Sequence, residues 1–213
     1  MKTYTGKFYG VSLEGFTEGL TEIIYDANTE SNFFASDNLF TFRKNLSFLD
    51  DPEFMAAFEA NVTTDNERTI IWRTYVLAWA VRHAVNLEGD FVECGCYTGT
   101  TAKIICDLID FKTQNRKYYL YDLFDHDPDM LHPKMLEHSK ELYQKTKERF
   151  TDYPNVLVAQ GKVPDILHEV APEKIAMMHI DLNNAEAEIG ALDILFDRMV
   201  PGAILLLDNY GWV

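Results

Sequence analysis

The run Gly89-Asp90-Phe91-Val92-Glu93-Cys94-Gly95-Cys96-Tyr97-Thr98-Gly99 constrains this chain more than any other segment. A short apolar stretch ends in an acid, Glu93. Gly95 and Gly99 follow with three residues between them, and a helical stretch begins. That order reads as a strand, a glycine turn and a helix N-terminus. Such a turn lets a ligand lie against bare backbone, because glycine has no Cβ to collide with it. The spacing is not the dinucleotide G-x-G-x-x-G. Tyr97 stands where that fingerprint needs its second glycine, and its bulk would obstruct a pyrophosphate. Acid-x-Gly-x-x-x-Gly suits a ligand that offers hydroxyls and an ammonium to a carboxylate and carries no phosphates. S-adenosylmethionine is such a ligand. Glu93, Gly95, Tyr97, Thr98 and Gly99 are therefore the first cofactor-binding candidates.

From this turn onward strands and helices alternate. Phe91 to Cys94 reads as one strand and Thr100 to Ile109 as a helix. Lys117 to Asp122, Asn155 to Gln160, Ile175 to Asp181 and Ala203 to Asp208 read as further strands. Between them lie an amphipathic helix from Pro133 to Phe150, a short helix from Pro164 to Val170 and a helix from Ala185 to Met199. Near-continuous apolar strands alternating with helices imply a parallel sheet covered on both faces, hence a doubly wound, Rossmann-like α/β domain. Upstream, Thr64-Asp65-Asn66-Glu67 has capping-box spacing and opens a helix expected to run to about Leu87. Residues 1–62 look irregular but carry Phe33, Phe34, Phe40, Phe42, Phe48, Phe54 and Phe58, too many large apolar groups for a disordered tail. They read as an N-terminal cover, packed on the domain formed by 63–213 or on a second subunit of a homo-oligomer.

In doubly wound sheets ligands bind at the carboxyl ends of the strands. Here those ends carry Glu93 and Gly95, Asp122, Gln160 and Gly161, Asp181, and Asp208. Asp122 follows the turn at a little more than the usual interval of about 20 residues for an acid that binds ribose hydroxyls. Its alternative reading is a loop cap. Gln160 and Gly161 could bracket an adenine edge or form a plain turn. His179 and Asp181 are two apart on one strand and share a face. His179 reads as an interior histidine or as a base, and Asp181 as a further cofactor or catalytic group. If the last two strands are neighbours, Asp181 and Asp208 could meet. With Asn209 they would offer oxygens suited to Mg²⁺ or another divalent cation.

Composition narrows the partners. The net charge of −15 opposes a nucleic-acid phosphate backbone. Cys94, Cys96 and Cys106 have no second cysteine pair to complete a zinc site, and read as reduced core thiols of a cytoplasmic protein. The first twenty residues show no apolar signal region, and the aliphatic run from Ala203 to Leu207 is far too short to span a bilayer.

Taken together, residues 66–212 resemble a class I S-adenosylmethionine-dependent methyltransferase. More narrowly, they resemble the macrocin O-methyltransferase (TylF-like) family, which methylates hydroxyls of sugars in antibiotics and other glycosylated metabolites. The resemblance rests on Gly89 to Gly95 with Gly99, on Tyr119-Leu120-Tyr121-Asp122, on His179-Ile180-Asp181, and on Pro201-Gly202-Ala203 leading to Leu207-Asp208-Asn209-Tyr210-Gly211. It implies a methyltransferase acting on a small-molecule acceptor, a sugar hydroxyl, with a divalent metal held by acids that also help deprotonate it. Two family acids are replaced here, by Asn183 and Asn209, so the resemblance implies a weaker metal site and leaves the base between Asp181 and His179. Class I sheets add two C-terminal edge strands that this chain, ending at Val213, is expected to lack. The competing readings are a non-catalytic methyltransferase-like binding protein and a nicotinamide-dependent oxidoreductase.

Overall fold

The structure is a computed structural model that describes residues 2–6, 15, 16, 18, 19, 22, 32–126, 134–208 and 210. The chain divides into two compact units, Met1–Val76 and Leu77–Val213.

The first unit is ordered into strands where the sequence looked irregular. β1 (Thr3–Thr5), β2 (Phe33–Ser36) and β3 (Leu39–Phe42) form a three-stranded sheet, β1 parallel and β3 antiparallel to β2. The strands are short, and β1 pairs with residues far along the chain, so no local periodicity announces them. Phe33, Phe34, Phe48, Phe54 and Phe58 are buried, with Phe48 against Phe34 at 5.6 Å and Phe54 against Tyr75 at 5.1 Å between ring centroids. α1 (Pro52–Asn61) is capped by Asp51, which accepts from Phe54 N at 3.0 Å.

The expected helix from Thr64 to about Leu87 is two helices. Its capping box is present: Glu67 N donates to Thr64 Oγ1 at 3.1 Å and Thr64 N to Glu67 Oε2 at 3.0 Å. α2 (Asp65–Thr69) then stops at Ile70, with φ −87° and ψ 18°, and α3 (Ile71–Ala84) follows. A continuous helix would bond Arg73 N to the Thr69 carbonyl. Both partners are diverted. The buried Ser36 hydroxyl donates to that carbonyl at 2.8 Å, and Arg73 N donates to Asp37 Oδ2 at 3.4 Å.

The second unit is a five-stranded sheet of parallel strands in the order β6-β5-β4-β7-β8. The strands are β4 (Asp90–Cys94), β5 (Tyr118–Asp122), β6 (Val156–Gln160), β7 (Ile175–Ile180) and β8 (Met199–Leu207). The central strands are mostly apolar, and β7 is buried at every position. α4 (Thr100–Leu108) and α6 (Ala185–Leu195) fall where expected at their starts. Asn184 caps α6 by accepting from Ala187 N at 3.0 Å. The short helix after Pro164 is a 3₁₀ turn, Asp165–His168.

Two boundaries differ from the sequence pattern. The helix expected from Pro133 to Phe150 is α5 (Leu142–Arg149); Pro133 lies outside the described residues. Residues 134–141 form turns instead, because the Tyr97 hydroxyl bonds to Glu137 and receives Glu137 N at 3.1 Å. β8 begins at Met199 rather than Ala203. It tolerates Pro201 because it is an edge strand and its register against β7 slips there: Ile175 pairs with Met199 but Met177 with Ile204. Among the described residues no helix is long and apolar enough to cross a membrane.

Candidate active site

The strand order places β4 where the direction of winding reverses, with β5 on one side and β7 on the other. This is the switch point at which doubly wound sheets hold ligands. The turn after β4 is built by hydrogen bonds from both neighbours. Gly95 N donates to the Tyr121 carbonyl at 2.8 Å and Asp181 N to the Cys94 carbonyl at 2.8 Å. Gly99 N closes the turn on the Cys96 carbonyl at 2.7 Å, and α4 starts there.

Both glycines are required by the protein's own packing. Gly95 sits at φ +92°, and a Cβ there would collide with the Asp181 carbonyl oxygen and lie 2.7 Å from its carbon. Gly99 sits at φ +74°, and a Cβ would lie 2.8 Å from the Phe150 ring. Packing thus gives these glycines a second reason beside the expected one of admitting a ligand. Their missing side chains let β7 and the α5 end approach the turn.

Tyr97, at φ +48°, donates its N–H to Asp122 Oδ2 at 2.7 Å, and Phe124 N donates to Oδ1 at 2.6 Å. Asp122 therefore ties the turn after β4 to the loop after β5. Burial pushes its carboxyl up from the usual range, and the Phe124 and Tyr97 N–H groups pull against that rise. Thr98 Oγ1 lies 3.0 Å from Thr100 Oγ1. Gln160 Nε2 donates to the Leu123 carbonyl at 3.3 Å, and Gly161 N to the Asp122 carbonyl at 3.0 Å, so both belong to the loop that Asp122 anchors.

This geometry changes the expected outcome of removing Asp122. Asp122→Ala deletes two charge-assisted bonds to backbone N–H groups, each worth about 1.5–3 kcal/mol. The cofactor-free protein should melt several degrees lower, about 2–4 °C per kcal/mol for a chain of this size. A thermal melt without ligand checks it. An unchanged midpoint would show that the acid serves a ligand and not the loops.

Glu93, next to the last residue of β4, is 1% exposed. It points into the sheet–helix interior. Tyr118 Oη donates to Oε2 at 2.6 Å, and Thr101 Oγ1, from α4, to Oε1 at 2.8 Å. On β7 its register partner is His179, whose Nδ1 lies 3.7 Å from Oε1, an ion-pair distance too long for a hydrogen bond. Burial alone would raise the Glu93 carboxyl; His179, Tyr118 and Thr101 outweigh it and hold the carboxyl below its ordinary value. Burial alone would likewise lower His179; the facing Glu93, with Asp181 and Asp208, instead raises it to about 9. Tyr118 and Thr101 carried no signal in the sequence. A tyrosine on a strand and a threonine on a helix become partners of an acid only when the sheet and helix close on it.

β7 and β8 are neighbours, so Asp181 and Asp208 do meet. Asp208 N donates to the Ile180 carbonyl at 3.0 Å, which carries the ladder past the strand ends. Ligand atoms of His179, Asp181 and Asp208 all lie within 4.8 Å of one another. Asn209, expected beside them, lies outside the described residues. Asn183 stands at φ +52°, a left-handed position that asparagine tolerates.

A family model described as a methyltransferase domain matches residues 92–210, more than half of the chain. The chain belongs to this methyltransferase-domain family. It is a methyltransferase of the S-adenosylmethionine-dependent kind. Its fold is shared with solved methyltransferases of low sequence identity. The structure of the O-methyltransferase NovP is 20% identical with a TM-score of 0.58, covering 72% of this chain and 69% of that one. The calicheamicin methyltransferase CalS11 is 14% identical with a TM-score of 0.56, covering 96% of this chain and 80% of that one. The methyltransferase PaMTH1 of Podospora anserina, solved with S-adenosylhomocysteine bound, is 12% identical with a TM-score of 0.50, covering 96% and 73%. No curated protein sequence matches the chain. The methyltransferase domain begins, in this match, within β4 and takes in every strand end described above.

Proposed function

We propose that this methyltransferase transfers a methyl group to a hydroxyl of a small molecule, a sugar or glycosylated metabolite. The observation that carries the reading is the meeting of Asp181 and Asp208, beside His179, at strand ends next to the switch-point turn. A carboxylate beside an acceptor hydroxyl takes its proton as the oxygen becomes a nucleophile. We assign that role to Asp181, with His179 as the alternative base. The name of NovP as an O-methyltransferase supports oxygen as the acceptor atom.

S-adenosylmethionine, when bound, supplies an already activated methyl on a sulfonium, so no covalent enzyme intermediate is needed. The residues we assign to holding it are Gly95, Tyr97, Thr98 and Gly99 in the turn, with Asp122, Gln160, Gly161 and Asp181. Glu93 supports the turn from behind. The donor set fits the ligand: a buried carboxylate already aligned by backbone N–H groups at the end of β5, with further acceptor capacity on each oxygen. The protein's contribution is then alignment of two reactants, which in favourable cases lowers a barrier by about 7–11 kcal/mol. Asp181 and Asp208 also fit a hard divalent cation, with Asn209 as a further oxygen donor. Such an ion would supply positive charge that favours the ionised hydroxyl.

Calorimetry should show micromolar binding of S-adenosylmethionine or S-adenosylhomocysteine and none of NAD. A panel of glycosides and nucleotide sugars, assayed for S-adenosylhomocysteine release with and without Mg²⁺, should then yield turnover on a hydroxyl. Binding of NAD alone would overturn the cofactor assignment. Turnover confined to amine or carbon acceptors would overturn the oxygen assignment.

A further inference from the structure

We propose that Tyr97 is a positioning residue: its side chain latches residues 134–141 as a strap against the switch-point turn, and the strap closes when the cofactor binds there. The coupling to the cofactor rests on the reading of this turn as the S-adenosylmethionine site; the latch itself does not.

The first support is that the backbone of Tyr97 is secured without its side chain. Its N–H donates to Asp122 Oδ2 at 2.7 Å, and its carbonyl accepts from Thr146 Oγ1, on α5, at 3.2 Å. The turn is thus held from β5 and α5, and the side chain is left to act outward. Tyrosine rarely takes a φ of +48°. Glycine would adopt it at less cost, so the ring and the hydroxyl are what tyrosine adds at this position. Strained backbone of this kind gathers at ligand clamps and switch segments.

The second support is where the side chain goes. Its hydroxyl donates to Glu137 Oε2 and accepts from Glu137 N at 3.1 Å. Its ring meets that of His138 edge-on, with 5.2 Å between centroids. Burial and the bond to Glu137 push the hydroxyl up from its ordinary value, so it keeps the proton that it donates. His138 in turn stands near Asp122: burial raises that carboxyl, and the His138 imidazole works against the rise. The strap therefore lies at the carboxyl ends of β4 and β5, the side on which such sheets hold ligands.

The third support is how lightly the strap is packed. Within residues 134–141 only His138 is buried, and Leu136 is 91% exposed. Hydrogen bonds inside the strap are local, as from His138 N to the Met135 carbonyl at 3.2 Å. A segment with so few buried apolar contacts opens at little cost. Segments of this kind close over a filled site and shut water out of it. A ligand that engages Asp122 or the turn acts on the residue that carries the latch, and occupancy reaches the strap by that route.

The experiment uses the full chain. Hydrogen–deuterium exchange is followed across 134–141 with and without S-adenosylhomocysteine, and release of that ligand is followed by stopped flow. In the wild type the ligand should slow exchange of the strap at least about fivefold. Tyr97→Phe keeps the ring and the backbone bonds and loses the hydroxyl. It should speed strap exchange in the ligand-free protein, abolish the slowing, and release the ligand about tenfold faster. Its ligand-free melting temperature should stay within about 2 °C of wild type. Glu137→Gln, which keeps an acceptor oxygen and the backbone N–H, should release the ligand within about threefold of the wild-type rate. A wild-type strap indifferent to bound ligand, or release from Tyr97→Phe at the wild-type rate, would overturn the proposal. So would a Tyr97→Phe that melts far lower while its strap still responds to ligand, since the hydroxyl would then be a structural prop. A protein that binds no S-adenosylhomocysteine, yet whose strap exchanges faster in Tyr97→Phe, would sink the cofactor reading and leave the latch standing.

Discussion

Gly95→Ala is expected to lower the melting temperature of the ligand-free protein by about 6–15 °C. The new methyl group would collide with the Asp181 carbonyl, whose carbon lies 2.7 Å from the Cβ position. The obstacle is backbone, which cannot rotate away as a side chain could. It is also the backbone whose N–H bonds to the Cys94 carbonyl at 2.8 Å. Relief must therefore separate β4 from β7 at the point where both present their functional residues. Overpacking typically costs 1–3 kcal/mol, and alanine held at φ +92° adds about 1–2 kcal/mol. Roughly 2–5 kcal/mol is the expected sum. Binding should fall too, as a consequence of displacement and not of filled ligand space. A variant that melts like wild type but no longer binds S-adenosylmethionine would show that the glycine is there for the ligand after all.

Glu93→Ala should be comparably damaging, at about 3–5 kcal/mol, because it removes one member of a buried charged pair and strands the other. Tyr118 Oη and Thr101 Oγ1 would lose their acceptor, and His179 its only facing carboxylate on β4. Glu93→Gln should fall between Ala and wild type, since an amide oxygen can still accept from Tyr118 or Thr101 but brings no charge to His179. Thermal melts of the three proteins test the order. A midpoint for Glu93→Ala within about 2 °C of wild type would mean that the network contributes almost nothing to stability.

Much of the second unit was legible because its signals are local. An apolar run of five residues followed by glycine and a helical stretch has one reading, and repetition of that reading produces a parallel sheet. The starts of α4 and α6 were visible for the same reason, as was the Thr64–Glu67 capping box. The break at Ile70 was not. It exists because Ser36 and Asp37, from a different strand, take the two groups that would have closed the helix. The turns of 134–141 were hidden likewise. Their helical periodicity is real, but Tyr97, distant in sequence, takes Glu137.

By itself the sequence determined which residues stand at the strand ends: Glu93, Asp122, Gln160, Asp181 and Asp208. Strand ends follow from local pattern, and a parallel sheet gathers them on one side. Only the tertiary structure decided what each does there. The β4–β7 register buried Glu93 opposite His179, and the turn of Tyr97 gave Asp122 backbone to hold. The pairing of β7 with β8 set Asp208 beside Asp181. These outcomes depend on which strands become neighbours and in what register. That is a long-range balance of burial and hydrogen bonding, and no window of sequence contains both of its sides.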